Sequence, residues 1–213
     1  MSSAPLALTA CDLRAGTLHF TQQLLNAASS CAIRHDGALS LDTEAVSDLF
    51  CDPDGKLSNT SLPLLLTAVD NRRPFTLTAK VTPGFTPEGT YNAANPMLYA
   101  SPVLWQKLCF EQDERGRHRI VSMRTDSTSD DCNHERLDVT SVYLKIASDG
   151  HTVGSYYSAD GKTYEMVRVY KNVYPDHLYA GIASQCPVKG HCLSLFEELT
   201  LSQEQIGDFR MGS

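Results

Sequence analysis

The chain has 213 residues, of which 42% are hydrophobic and 20% are charged, a balance typical of a globular protein that buries a sizeable core. Its formal net charge is −7 with both signs interspersed, so phosphate backbones would be repelled and nucleic acid is not an expected partner. Its apolar runs fall short of the ~20 residues that span a bilayer, so no membrane association is expected.

The N-terminal residues lack the pattern of a secretory signal. No Lys or Arg precedes Arg14, and Pro5 and Thr9 interrupt the apolar stretch over residues 4–10, so secretion is not expected. The seven cysteines contain no Cys-x-x-Cys pair and the seven histidines no metal-binding spacing, so neither a metal nor another cofactor is expected. Reduced thiols in an intracellular protein fit this usage, and whether Cys186 and Cys192 meet across their loop stays open.

The first seventy residues carry irregular signals. Thr17–Phe20 and Ala38–Leu41 are typical of short strands, and the apolar run Leu62–Val69 is typical of a strand edge or strand start because it contains a proline. Thr43–Phe50 is predicted to form one or two helical turns, which the Asp52–Gly55 sequence ends.

From Phe75 onward the sequence is typical of short strands separated by turns. Phe75–Val81 alternates apolar and polar residues, which indicates a strand with one buried face. Asp149-Gly150 and Asp160-Gly161 each supply the positive φ of a tight turn, so two successive hairpins are predicted. Further strands are predicted at 97–99, 104–111, 120–125, 142–147, 152–158, 164–170, 178–184 and 193–201. This regular spacing favours one all-β domain over residues 1–213, a sandwich or a barrel.

Strand parity predicts which side chains share the surface away from the core. Those side chains are Trp105, Lys107, Cys109, Glu111, Lys145, Arg168 and Gln185. Charged and amide groups bind sugar hydroxyls, and Trp105 or Tyr157 is predicted to stack on a pyranose ring. The alternative is that Lys107, Glu111, Lys145 and Arg168 form cross-strand ion pairs on an exposed sheet.

A glycan-active hydrolase or lyase is a second hypothesis. Glycoside hydrolysis uses two carboxyl groups ~5–10 Å apart. Glu111 with Asp130 or Asp131 is the pair that the sequence offers. The two aspartates lie in the polar segment Asp126–Asn133, which is predicted to be a loop, and a solvated loop is the competing interpretation.

A series of landmarks follows in an order that resembles a known family. They are Phe75-Thr-Leu-Thr-Ala-Lys-Val81, Met97-Leu98-Tyr99, Trp105-Gln-Lys-Leu108 with Glu111, Ile120-Val-Ser122, Ser129-Asp-Asp131, Tyr156–Lys162, Val167-Arg168 and Ala180–Gln185. Over residues 40–201 the chain resembles the concanavalin-like sandwiches labelled "regulation of enolase protein 1-like". The resemblance implies a jelly-roll lectin/glucanase fold of two antiparallel sheets, a cytoplasmic location and no established catalytic activity.

The same resemblance implies an association with carbohydrate, because relatives occur beside polysaccharide-utilisation functions and as accessory modules of glycosidases. Lys145 stands where the family usually has Arg, a change that loses planar, bidentate hydrogen bonding. The family's polar landmarks fall on Lys107, Glu111, Asp130, Asp131, Arg168 and Gln185.

We therefore expect a non-catalytic binding or regulatory protein of carbohydrate metabolism, with a saccharide or sugar-like metabolite on the polar sheet face. A hydrolase or lyase and a protein-interaction module are the alternatives. The expected partners are a carbohydrate ligand and a metabolic enzyme. The predicted ligand-binding residues are Trp105, Lys107, Glu111, Asp130, Asp131, Lys145, Tyr157, Arg168 and Gln185.

Overall fold

The computed structural model describes residues 7–26 and 29–213, and these residues form seventeen strands and no helix. Within them, no helix is long and apolar enough to cross a membrane. The strands are β1 (Thr9–Ala15), β2 (Leu18–Leu24), β3 (Ser30–Ile33), β4 (Leu39–Glu44), β5 (Leu49–Phe50), β6 (Asn59–Thr60), β7 (Leu64–Asp70), β8 (Phe75–Thr82), β9 (Ala93–Ser101), β10 (Leu104–Gln112), β11 (His118–Asp126), β12 (Thr128–Arg136), β13 (Val142–Ser148), β14 (Thr152–Ser158), β15 (Glu165–Lys171), β16 (His177–Gln185) and β17 (His191–Ser202).

Two antiparallel sheets form a sandwich, which confirms the predicted all-β fold class. The eight-stranded sheet has the order β1-β2-β7-β16-β9-β10-β11-β12, and the seven-stranded sheet has the order β15-β14-β13-β8-β17-β4-β3. β5 and β6 form a separate two-stranded sheet. The last two strands, β16 and β17, therefore lie in the interior of the two large sheets.

Alternating apolar residues from both sheets meet in one core. In β8, Phe75, Leu77, Ala79 and Val81 are buried while the residues between them are half-buried, as the period-2 pattern predicted. The facing sheet contributes residues such as Phe110 to the same core. Burying a large apolar side chain contributes about 1.5–3 kcal/mol, so this core holds the two sheets face to face.

Both predicted hairpins are present. β13 pairs with β14 across Asp149-Gly150, and β14 pairs with β15 across Asp160-Gly161. Gly150 and Gly161 have φ values of 88° and 73°, which a residue without a Cβ adopts at no steric cost. Each of the seven cysteines is a free thiol.

The predicted helical turns at Thr43–Phe50 were wrong. β4 continues to Glu44, the chain bends through Val46, and β5 begins at Leu49. Between the buried residues Thr43 and Leu49, Ser47 forms an antiparallel backbone bridge with Cys186. This bridge holds the chain extended at that point. The β5–β6 segment, defined here as residues 45–61, is thus an extended loop with a two-residue hairpin. The tertiary contacts of this segment override the weak helical propensity of its sequence.

The predicted loop at Asp126–Asn133 was also wrong. β11 runs to Asp126, Ser127 turns with a φ of 69°, and β12 returns along β11. β12 is an edge strand of the eight-stranded sheet, and Ser129 is the only one of its nine residues that is buried. Because a strand buried on neither face shows no apolar alternation, its sequence is typical of a polar loop.

Candidate functional site

The outer face of the eight-stranded sheet, which points away from the core, carries the side chains that parity assigned to it along β10. Leu108 and Phe110 lie in the core between the sheets, whereas Trp105 and Cys109 belong to clusters on the opposite face. Trp105 packs there with Met97 of β9 and other apolar residues. The outer face is thus apolar around Trp105 and polar further along β10.

The β5–β6 segment covers this outer face. Leu49 packs in the cluster that contains Trp105, and Asp48 reaches Lys107. Both Trp105 and Lys107 are fully buried beneath the segment. The backbone of Ser129 in β12 donates a 2.7 Å hydrogen bond to the carbonyl of Cys51, which ties the segment to the sheet edge.

A continuous hydrogen-bond network joins the polar residues of the outer face. Lys107 Nζ donates to Asp48 Oδ1 and to Gln185 Oε1, each at 2.8 Å. Gln185 Nε2 donates to Glu111 Oε2 at 3.2 Å and to the carbonyl of Tyr91 at 2.9 Å. Gln185 therefore links Lys107 to Glu111, so the sheet brings these three predicted residues into one network.

Lys107 remains charged despite its complete burial. Burial lowers the pKa of Lys107, but the acidic groups around it, Asp48 first among them, together outweigh burial and hold the pKa above its usual value of 10.5. The thiol of Cys109, on the same face, is buried, and burial raises its pKa well above the usual range. Cys109 is accordingly a poor nucleophile.

A pocket of about 410 Å³ opens beside the network, within the ~300–1,000 Å³ range of small-molecule sites. Its polar residues come from the sheet, from the β5–β6 segment and from the turn after β10. Its apolar residues come mainly from the β5–β6 segment and from the loop after β16. The lining residues are Val46, Asp48, Phe50, Leu57, Asn59, Tyr91, Glu111, Glu114, Met123, Asp131, Asn133, Gln185, Pro187 and Val188.

The rim of the pocket combines exposed apolar side chains with strained backbone. Val46, Leu57, Tyr91 and Val188 are 64%, 72%, 40% and 53% exposed. Val46 and Tyr91 also have φ values of 64° and 65°, a region that side chains with a Cβ rarely adopt. Such strain costs about 1–3 kcal/mol per residue and concentrates at ligand sites.

The strained rim residues are held by hydrogen bonds. The Val46 carbonyl accepts from Asn59 Nδ2 at 3.2 Å and from Ser61 Oγ at 2.7 Å. The Tyr91 backbone N–H donates to the carbonyl of Gln112 at 2.7 Å. The rim therefore has a fixed shape that the surrounding chain imposes.

Two acidic side chains in the pocket have raised pKa values. Burial, followed by the nearby Asp131 charge, raises the pKa of Glu111 well above its usual value of 4.5. Burial also raises the pKa of Asp131. Perturbed carboxyl groups in a pocket are typical of functional sites, although ion-pair networks produce them as well.

A model of the family described as "Protein of unknown function (DUF1349)" matches residues 24–204, a range that includes every residue lining the pocket. The chain belongs to this family. A search of curated proteins finds no match. The family match agrees in extent with the predicted resemblance over residues 40–201, but it does not extend to the label "regulation of enolase protein 1-like".

Solved structures share the fold of this DUF1349 member. A functionally unknown protein from Saccharomyces cerevisiae is 19% identical with a TM-score of 0.72, and the match covers 82% of this chain and 96% of that one. The GH43 protein BlXynB from Bacillus licheniformis is 16% identical with a TM-score of 0.64, over 87% of this chain and 36% of that one. A Lotus tetragonolobus seed lectin is 12% identical with a TM-score of 0.51, over 85% and 96%. The likeness to a lectin confirms the predicted concanavalin-like fold.

The aromatic residues predicted to stack on a sugar do not face solvent. Trp105 is fully buried, and its Nε1–H donates to the Pro102 carbonyl at 3.1 Å. Tyr157 packs its ring in the core between the sheets, and its hydroxyl donates to Glu135. The prediction that Trp105 or Tyr157 stacks on a sugar ring is therefore corrected. Tyr91, rather than Tyr157, lies at the rim of the pocket.

Lys145 lies on the seven-stranded sheet, far from the pocket in the fold. Its Nζ donates to the Gly212 carbonyl at 2.8 Å and lies 3.4 Å from the ring centroid of Tyr164. The side chain points away from the core as predicted, but it belongs to the opposite outer surface of the sandwich. The prediction that Lys107 and Lys145 share one face is therefore corrected.

Arg168 does not point away from the core. In β15 the extra residue Val167 forms a bulge, which places Arg168 opposite Ser155, a residue whose hydroxyl lies between the sheets. Arg168 Nη1 donates to Asp130 Oδ2 of the other sheet at 3.2 Å. Arg168 and Asp130 thus bridge the edges of the two sheets outside the pocket, whereas Asp131, the next residue along β12, lines it.

Several pocket residues were missed by the sequence analysis. Asp48 lies in the segment predicted to be helical, and Tyr91 lies in a turn without a strand pattern. One signal was available in the sequence, since the short element Asp48-Leu49-Phe50, followed by Pro63-Leu64-Leu65, also resembles the pattern of the family. Parity reasoning reaches only residues on regular strands, so it does not identify loop residues that close a pocket.

Proposed function

We propose that the protein binds a saccharide, without catalysis, in the pocket on the outer face of the eight-stranded sheet. The observation that carries this proposal is the lining of the pocket, in which carboxylate and amide groups stand below an exposed tyrosine. Asp131 and Glu111 offer carboxyl groups to hydroxyl groups, and Tyr91 offers a flat apolar surface to a sugar ring. Gln185 lies beside them and holds Glu111 through a hydrogen bond. This combination of a few polar groups with apolar walls is typical of small-molecule sites.

The structural relatives support a carbohydrate ligand. One is described as a xylan β-1,4-xylosidase from Bacillus halodurans, and another is the Lotus lectin. The match covers 39% of the xylosidase chain, so this fold corresponds to part of that protein. A regulatory role in carbohydrate metabolism, as the "regulation of enolase protein 1-like" resemblance implied, forms part of the same proposal.

Hydrolysis of a glycosidic bond is a second candidate function, favoured by one observation. Glu111 has a raised pKa beside Asp131 in the same pocket, an arrangement that keeps one carboxyl protonated while the other ionises. Asp130 takes no part in this scheme because it pairs with Arg168 outside the pocket.

Isothermal titration with xylose, arabinose, glucose and short xylo-oligosaccharides tests the binding proposal. We expect at least one saccharide to bind, and Tyr91→Asn to weaken it about tenfold because stacking is lost while Asn tolerates positive φ. Tyr143→Asn makes the same change on the other sheet and should leave affinity unchanged. If no saccharide binds at millimolar concentration, the proposal is wrong. Release of reducing ends that Glu111→Gln abolishes would establish hydrolysis in its place.

A further inference from the structure

We infer that the pocket selects a positively charged saccharide, an amino sugar with a free amine, over neutral and acidic sugars of the same size. This inference rests on the proposed saccharide site and adds the charge class of its ligand. It depends on the distribution of ionisable groups around the pocket and on where the nearby cations are directed.

The lining of the pocket is acidic. Asp48, Glu111, Glu114 and Asp131 all contribute to it, and no Lys, Arg or His belongs to the lining formed by the described residues. The other lining groups are amides, apolar side chains and Tyr91. A ligand therefore meets acceptors in excess of donors.

The nearest cations are engaged elsewhere. Lys107 is fully buried and donates to Asp48 and Gln185, so its charge offsets that of Asp48. Arg119 lies directly opposite Glu111 on the adjacent strand, but its Nη2 donates to Asp113 at 2.8 Å. Among the described residues, no cation forms an ion pair with Glu111 or Asp131, although Lys107 is near enough to oppose the rise in both pKa values.

Cations near the rim are also paired with other carboxylates. Arg168 Nη1 contacts Asp130, and Lys56 Nζ lies 2.6 Å from Asp54. Arg115 approaches Glu114 only at 3.9 Å between exposed side chains, where ion pairs contribute little. A basic group supplied by the ligand would give Asp131 an ion pair that none of the described cations forms with it.

An ammonium group matches this environment in charge and in hydrogen bonding. It carries three N–H donors and no acceptor, whereas the floor of the pocket presents carboxylate and amide oxygens. Burial raises the pKa of Asp131 and Glu111, so a bound cation would favour their ionised forms and release protons. A uronate carboxylate in the same position would face the carboxyl groups of Asp131 and Glu114 with no cation in the described lining, and is disfavoured.

The test compares D-glucosamine, D-glucose and D-glucuronate, three pyranoses of similar size, by isothermal titration at a pH that keeps the amine protonated. We expect glucosamine to bind about tenfold more tightly than glucose, since a charge-assisted hydrogen bond contributes about that factor, and glucuronate to bind most weakly. Asp131→Asn should abolish the preference for glucosamine. Asp138→Asn makes the same change at an exposed residue beyond β12 and should preserve it.

Every outcome of this comparison is decisive. Equal affinities for the three sugars, or tighter binding of glucuronate, would overturn the charge inference and leave the saccharide site in place. Binding of none of the three and of no sugar in the wider panel would overturn the proposed function and this inference together. An unaltered glucosamine preference in Asp131→Asn would show that Asp131 does not supply the selectivity.

Discussion

The ammonium group of Lys107 lies in the interior of the protein between a carboxylate and an amide oxygen. Its contacts with Asp48 and Gln185, at 2.8 Å each, replace the water that burial removed. Buried ion pairs contribute little net stability compared with an apolar pair, but removing one partner leaves the other charge uncompensated. Loss of Lys107 would leave the largely buried Asp48 carboxylate without its ion-pair partner.

We expect Lys107→Met to lower the free energy of unfolding by about 3–5 kcal/mol, measured by urea denaturation. The matched control is Lys80→Met, which removes a partly exposed pair with Glu197 at 3.2 Å and should cost less than about 1 kcal/mol. Equal losses in the two variants would refute the assigned role of burial.

At the residue scale, regular strand parity predicted the outward side chains of β10 correctly. Lys107 and Glu111 could be placed on one face because β10 keeps strict alternation. Arg168 could not be placed correctly, since the bulge that Val167 introduces reverses parity and no turn residue marks it. The partner Asp48 comes from a segment whose conformation depends on tertiary contacts.

At the element scale, the β5–β6 segment shows what the sequence leaves undetermined. Its short strands have few paired residues, and its path depends on Leu49, on Asp48 and on the bridge between Ser47 and Cys186. β12 presents the related case of an edge strand without an apolar pattern. Strands buried on one face were predictable, whereas elements stabilised by their surroundings were not.

The strain in the β5–β6 segment leads to a testable expectation. Val46 is largely exposed and has a φ of 64°, so Val46→Gly should relieve strain while losing little apolar burial. We expect the free energy of unfolding to rise by about 1 kcal/mol, after the entropic cost of glycine in the unfolded chain. Val188→Gly, at an exposed rim residue without positive φ, should lower it by about 1 kcal/mol. A comparable loss in both variants would contradict the strain argument.

At the scale of the whole molecule, the buried carboxyl groups make stability depend on pH. Because burial raises the pKa of Glu111 above its usual 4.5, the folded protein holds a proton that the unfolded chain loses. The contribution of Glu111 is therefore fully present below about pH 4.5 and is lost as the pH rises through the folded-state pKa.

We expect Glu111→Gln to stabilise the protein relative to the wild type more at pH 8 than at pH 5, in paired urea titrations. The contribution of Asp70 to stability changes with pH in the opposite direction, since hydrogen bonds from Arg72 lower the pKa of Asp70 to about 2. The contribution of Asp70 is lost as the pH falls below its usual value of 3.8, so Asp70→Asn should differ from the wild type above that pH and converge with it in acid. A stability difference for Glu111→Gln that does not change with pH would show that this carboxyl is ionised in the folded protein.

The order of strands in the two sheets also constrains when each sheet can form during synthesis of the chain. β16 lies between β7 and β9, and β17 lies between β8 and β4. Neither sheet can close until these two strands, residues 177–202, have been synthesised, so the earlier strands carry unpaired edges until then. Closure of both sheets consequently waits for these late strands, and protection of the exposed edges by chaperones would matter more than for a sandwich built from sequential hairpins.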